Sequence, residues 1–198
     1  AIHYFFKNIQ SLEGFIENLV ENTKENGFFI GTCPDGKTIF ENLRDIEKDS
    51  KIGYNIDNIP LWSIKKLYEQ TKMKDDESSL GLEIDVFVQS IGDYQKEYLV
   101  NFSYFVLIMK KYGFELLQHE DCSNFNIPYG DNDSSSGLFS KMYKNMMIES
   151  NTNNISKYGH SLNLESEPQI QKYSFFNRWF IFRKTGLGMK VKKIKVKK

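Results

Sequence analysis

Asn26-Gly-Phe-Phe-Ile-Gly-Thr-Cys-Pro-Asp35 decides how the rest of the chain is read. Asn26-Gly27 stops whatever precedes it, Phe28-Phe-Ile-Gly-Thr32 is an apolar run of strand length, and Cys-Pro-Asp-Gly is turn chemistry. Upstream, Ile9, Leu12, Phe15, Ile16, Leu19 and Val20 recur at helical spacing, so Ile9 to Asn26 is expected to be an amphipathic helix. Before it, Ala1-Ile-His-Tyr-Phe-Phe6 reads as the end of a buried strand. Downstream, Ile39, Phe40, Leu43 and Ile46 mark a second helix from Thr38 to about Lys48. Helix, strand and helix with short connections are the pattern of an α/β fold with a doubly wound, parallel sheet. Ligands of such sheets bind at the carboxyl ends of the strands. Half of a site is therefore expected here, and the other half upstream of residue 1.

Beyond Lys48 the pattern changes. Ile59 to Tyr68 and Leu80 to Ile91 read as extended segments around a charged loop, Lys74-Asp-Asp-Glu77, and are expected to pair as a hairpin inserted over about 51–92. Asp93 is expected to cap a long helix through Tyr112, with Leu99, Phe102, Phe105, Val106 and Met109 as its apolar positions and Gly113 as its stop. Phe114 to Gln118 reads as a strand. The Ser-, Asn- and Asp-rich stretch from about Cys122 to Glu167 is a variable segment holding a candidate helix over Leu138 to Ile148. Tyr173 to Lys184 is aromatic and apolar, as suits a last, central strand. One domain over 1–185 and a basic, disordered tail over 186–198 follow.

The formal net charge is +0, but Lys190-Val-Lys-Lys-Ile-Lys-Val-Lys-Lys198 gathers six lysines at one end and leaves an acidic body. Such runs contact polyanions or stay solvated without a partner, and both readings are open here. Cys33 and Cys122 lack the paired spacing of a zinc site or a disulfide framework, which fits a reducing, intracellular compartment. No apolar run approaches membrane-spanning length, so no membrane partner is expected. The acceptor patterns at Asn101, Asn132 and Asn154 read as chance in a chain this rich in Asn.

Candidate chemistry is sparse. Gly186-Leu-Gly188 leads into the lysine tail rather than a helix, and no phosphate-cradling glycine fingerprint, metalloprotease, kinase or nucleophile-elbow motif is present. His119 and His160 lie in or beside polar segments. His3 and Tyr4 differ, because a polar pair at the carboxyl end of an apolar strand points into the ligand crevice. By position alone, a satisfied core histidine and a packing tyrosine are equally open. Glu97 falls in the first turn of the expected long helix, where a carboxylate also serves to complement the helix dipole.

The chain resembles the cellular and viral mRNA cap guanine-N7 methyltransferases, of the class I S-adenosylmethionine-dependent fold, in four stretches. His3-Tyr4 resembles the family's His-Tyr pair at the end of its fourth strand. Asn26 to Asp35 is similar to its Gly-Gly-Tyr-Phe-Ile-Gly-Thr-Thr-Pro-Asn type segment. Glu97-Tyr-Leu-Val100, with Lys110-Lys-Tyr-Gly-Phe114 after it, resembles its Glu-Tyr-Leu-Val helix, and Trp179-Phe-Ile-Phe-Arg-Lys184 its terminal strand. Their order and spacing cover most of the chain.

The resemblance implies methyl transfer from S-adenosyl-L-methionine to N7 of the guanine of a capped mRNA 5′ end. Guanine N7 is an acceptor with no proton to lose, so no general base is required and no catalytic acid/base residue is assigned. It also implies that Glu97 accepts from guanine N1–H and the exocyclic amine, that His3 and Pro34 border the base, and that Tyr4 lies between base and methyl donor and touches both. The family's terminal-strand tyrosine has no direct counterpart: Asn177 aligns there, and Tyr173 is the nearest candidate. The family's glycine-rich loop and ribose-binding acid precede this sequence. The isolated segment is therefore expected to be inactive, its parent carrying a cofactor half, with upstream capping domains or a stimulatory subunit as candidate partners. No metal is expected, and the compartment is a nucleus or a viral factory. Two alternatives stand beside this reading: a non-catalytic module holding capped RNA or a partner, and a class I methyltransferase with another substrate. An upstream glycine-rich loop separates the first, and the need for Glu97 separates the second.

Overall fold

Two four-stranded sheets share the chain in the computed structural model, which describes residues 2–153 and 167–188. Ile2–Lys7 forms a 3₁₀ turn, not the end of a strand: Ile2, His3 and Phe6 are its buried side, and the Phe6 carbonyl accepts from Gly81 N–H at 2.9 Å. Among the described residues no strand pairs with this segment, so packing shapes it in place of a ladder. Helix α1 (Ile9–Asn22) begins where the Asn8 side chain caps Ser11 N–H, and it buries Leu12 and Ile16. It ends at Thr23, and Asn26 takes a positive φ in the turn into β1 (Phe28–Pro34).

β1 is a strand as expected, yet not a buried parallel one. It pairs antiparallel with the terminal strand, and Phe28 and Ile30 stay exposed on the face away from the core. Asp35 then caps α2 (Gly36–Asn42), receiving both Thr38 N–H and the Thr38 hydroxyl. The helix is shorter than its apolar spacing predicts, because Leu43 caps it and Lys66 reaches in to donate to the Leu43 and Ile46 carbonyls.

Residues 51–98 make an antiparallel meander of four strands, more than the expected hairpin: β2 (Lys51–Ile56), β3 (Ile59–Lys66), β4 (Glu83–Val88) and β5 (Tyr94–Tyr98). Asp57 and Asn58 both adopt positive φ between β2 and β3, the requirement of a tight two-residue hairpin turn. The long helix from Asp93 does not form. Tyr94-Gln-Lys-Glu-Tyr98 lies in register with Glu83–Phe87, so Glu97 sits opposite Ile84 on a strand rather than in a first helical turn. Cross-strand pairing of Lys96 with Asp85 and contact of Tyr94 with Phe87 outweigh the local helical reading of this segment.

Helix α3 (Phe102–Lys111) starts later, at a fully buried Asn101 whose carboxamide accepts from Tyr104 N–H and donates to the Lys74 carbonyl. Burial also removes Asn101 as a glycan acceptor. Gly113, at φ +83°, ends the helix as read from the sequence. β6 (Phe114–Leu116) follows, then α4 (His119–Asn124), β7 (Ser136–Leu138) and α5 (Phe139–Asn153), so the polar segment carries more regular structure than its composition suggests. After α6 (Pro168–Ser174), β8 (Asn177–Lys184) closes the first sheet. Tyr173 therefore belongs to a helix, and the terminal strand begins four residues later.

β8 is central, with β1 on one side and β6 and β7 on the other, all antiparallel to it. The described strands thus form a mixed α/β structure without a parallel neighbour pair. One core joins α1 and α3 to the inner face of this sheet through Phe6, Phe105, Phe180 and Phe182; a second joins α2 to the inner face of β3 and β4 through Phe40, Trp62, Ile64 and Ile84. Among the described residues no helix is long and apolar enough to cross a membrane. His160, Asn154 and the lysine tail lie outside the described residues.

Candidate functional site

The carboxyl end of β1 meets the second sheet at a narrow cleft with about 20 Å³ of free space, which a purine base enters only if its lining parts; it is lined by Pro34, Ile39, Ile64, Val86, Glu97, Tyr173, Phe176 and Asn177. Two backbone contacts set the approach. Gly36 N–H donates to the Val100 carbonyl at 2.9 Å, tying the chain after β1 to the chain after β5, and Asp35 N–H donates to the Phe176 carbonyl at 2.6 Å. Pro34 lies opposite Asn177 in the β1–β8 register. A Cβ on Gly36 would stand 2.4 Å from the Val100 oxygen, so this approach admits only glycine.

Glu97 reaches this cleft from β5, opposite Ile84, and its side chain is 15% exposed. Burial pushes its carboxyl up to about 7, because a charged carboxylate there gives up water without gaining a cation. His3, from the N-terminal turn, brings Nε2 within 3.5 Å of Glu97 Oε1 but makes no hydrogen bond in that position. Burial also drives the imidazole down, to about 4. Both groups are thus displaced toward their neutral forms, and the contact is a pair of desolvated polar groups rather than a settled ion pair. Tyr173 faces the same space; burial, and then the Glu97 charge, push its hydroxyl up to about 12. Tyr4 is half exposed, and its ring stands 4.3 Å from that of His3.

The sequence-chosen residues therefore converge: Pro34, Glu97 and Tyr173 line one cleft, His3 touches Glu97, and Tyr4 touches His3. They come from a turn, a strand end, a second sheet and a short helix, so only the fold unites them. His119 stacks on Tyr129 in the polar segment and lines no part of this cleft. Among the described residues no group of His, Cys, Asp or Glu side chains is arranged to hold a metal.

A buried pair beside the cleft is not legible in the sequence. Arg178 Nε donates to Asp35 Oδ2 at 2.6 Å, its Nη1 to Ser136 Oγ at 2.8 Å, and its guanidinium lies 4.3 Å over the Phe102 ring. In the sequence Asp35 reads only as part of a turn, and nothing local points to Arg178.

The family described as mRNA (guanine-N(7))-methyltransferase domain matches residues 1–163. A "Probable mRNA-capping enzyme" of Acanthamoeba polyphaga mimivirus is 28% identical over 94% of this chain and 17% of its own length. The "mRNA-capping enzyme" of African swine fever virus (strain Badajoz 1971 Vero-adapted) is 29% identical over 68% of this chain and 15% of its own. An "mRNA cap guanine-N(7) methyltransferase" of Drosophila melanogaster is 28% identical over 63% of this chain and 27% of its own. The chain thus spans about a sixth to a quarter of the length of these relatives.

Proposed function

The chain belongs to the mRNA (guanine-N(7))-methyltransferase family, and from that premise we propose that it forms the guanine-binding side of a cap methyltransferase. The observation that carries the reading is the buried carboxylate of Glu97 in a mostly apolar cleft. A carboxylate held away from water and without a cation is costly. A ligand that brings two adjacent donors offsets that cost, and guanine does so with N1–H and its exocyclic amine. Adenine offers no such pair, so discrimination follows from an unpaired buried acceptor rather than from extra contact area.

The acceptor nitrogen sets the chemistry. N7 has a free lone pair, so the residues of this chain have no proton to remove and need only hold the base in line and exclude water. His3, neutral near pH 7, and Pro34 border the base; Tyr173 supplies a hydroxyl to the same space. S-adenosyl-L-methionine supplies a methyl group activated on a sulfonium. Tyr4 suits the donor side, since it is half exposed beside His3 and free to touch both ligands. Its contact alone does not make a cofactor site, and the remaining contacts are assigned to an upstream half of the parent polypeptide.

The open edge of β1 supports this division. Among the described residues β1 pairs only with β8, and its Phe28 and Ile30 are 43% and 67% exposed. An unpaired edge on an apolar strand invites a further strand. Capped RNA is the proposed substrate, and contact of the lysine tail with its phosphates is a further part of the proposal; that contact weakens with salt.

The test uses the full-length polypeptide that carries this sequence. Methyl transfer from labelled S-adenosyl-L-methionine to GpppA-capped RNA is measured for the parent and for Glu97→Ala. Transfer to N7 that collapses in the variant is expected. Cofactor binding without transfer to N7 would overturn the substrate, and transfer indifferent to the substitution would remove Glu97 from the site.

A further inference from the structure

We propose that Trp62 is a positioning residue for the guanine cleft, acting through Tyr173. The inference rests on the reading of the cleft given above. Trp62 lies on β3, is 2% exposed, and does not line the cleft itself. Its Nε1–H donates to the Gln169 carbonyl of α6 at 3.0 Å. Its ring stands 5.6 Å from Tyr173 and 5.7 Å from Phe176, just beyond the helix.

The case for a role beyond packing lies in the weakness of α6. The helix has seven residues, no side-chain bond at its Glu167 cap, and no fully buried residue of its own. A helix this short does not hold itself in water. The chain just past it is fixed by the Asp35 bond to the Phe176 carbonyl and by Asn177 donating to the Ser174 carbonyl, whereas Trp62 grips its first turn, through the Gln169 carbonyl, and the Tyr173 ring. The other cleft groups are held independently: Glu97 by the β4–β5 ladder, Pro34 by the β1–β8 ladder, His3 by the N-terminal turn. Loss of Trp62 therefore releases Tyr173 selectively and leaves the carboxylate in place. An indole also suits the position because a buried N–H needs a partner, which ties ring packing and helix docking into one contact.

A double-mutant cycle on the full-length polypeptide tests this, with GpppA affinity as the readout and thermal melting alongside. Trp62→Phe keeps a ring and loses the N–H; it is expected to weaken GpppA binding about fivefold, and to have no further effect when combined with Tyr173→Ala. Trp62→Ala is expected to lose more, in the same background-dependent way. The affinity for S-adenosyl-L-methionine is expected to stay unchanged in both. A loss of GpppA affinity that is equal with and without the Tyr173→Ala change would mean ordinary destabilisation and would overturn the proposal, as would Trp62→Phe binding GpppA like the parent. If the parent itself does not bind GpppA, the cleft reading falls and takes this role with it.

Discussion

His3 Nε2 and Glu97 Oε1 lie 3.5 Å apart, joining the N-terminal turn to the last strand of the second sheet. Neither group has an opposite charge to settle it. Burial draws the imidazole down to about 4 and the carboxyl up to about 7, so the two impose opposite pH dependence on stability. With its folded value raised, Glu97 holds its proton more tightly when folded, so its contribution falls as pH rises from about 4.5 to 7. With its folded value depressed, His3 resists protonation when folded, so its contribution falls as pH drops from about 6.5 to 4. Glu97→Gln is expected to be more stable than the parent above pH 7 and to lose that advantage on acidification. Urea titrations between about pH 4 and 8 measure it, and an advantage that grows toward the acid end would contradict the assignment.

Guanine recognition carries the matching signature. The unliganded site must lose the Glu97 proton to accept two donors, so GpppA affinity is expected to rise with pH up to about 7 and then level off. Isothermal titration in buffers of different ionisation enthalpy reads the released proton directly; binding without proton release at about pH 6 would count against Glu97 as the acceptor.

Arg178 and Asp35 form a nearly dry ion pair, with side chains 11% and 5% exposed. Arg178 also pairs with Asp131 at 3.3 Å and Asp35 keeps its two Thr38 bonds, so removing one member weakens rather than strands the other, at a cost of about 1–3 kcal/mol. Arg178→Met is expected to lower the urea midpoint by a corresponding amount, whereas the double change Arg178→Met with Asp35→Asn is expected to recover part of it. Equal losses for single and double variants would mean that the pair does not act as a unit.

Gly36→Ala places a methyl group 2.4 Å from the Val100 carbonyl oxygen, against backbone that cannot rotate away. The two sheets are expected to part slightly at the cleft, with destabilisation of about 1–3 kcal/mol and weaker GpppA binding. Melting temperature and affinity move together in this variant; a change in neither would show that the contact is loose.

Asn101→Ala removes the buried cap of α3 and the partly buried bond to the Lys74 carbonyl at 2.8 Å. A loss of about 2 kcal/mol is expected. Asn101 also donates to Asp75 Oδ1 at 3.0 Å, so Asn101→Asp keeps the cap but sets a buried carboxylate against a second one, and it is expected to be no more stable than the alanine variant in a denaturant series at neutral pH.

Glu97 shows where local reading stops. Only the resemblance of Glu97-Tyr98-Leu99-Val100 to a family motif singles it out, and the same stretch reads locally as a helix. Nothing within Tyr94–Tyr98 excludes a helix; the partner that decides it, Glu83–Phe87, lies across a turn and enters only by register. Tyr173 is the same lesson in reverse, an aromatic next to a real strand that the fold assigns to a helix because Trp62 and Phe176 supply its packing.

The local events are written in the chain: the turn after β1, the Gly113 stop, the apolar run of β1 and the aromatic core of β8. Each depends on chemistry within a few residues, where backbone propensity and side-chain hydrogen bonds dominate. That β8 runs antiparallel between β1 and β6, that four strands replace a hairpin, and that His3, Pro34, Glu97 and Tyr173 come together are outcomes of the assembled fold. They depend on contacts between residues far apart in the chain, and on the burial that shifts their protons, and neither is encoded in any single window of sequence.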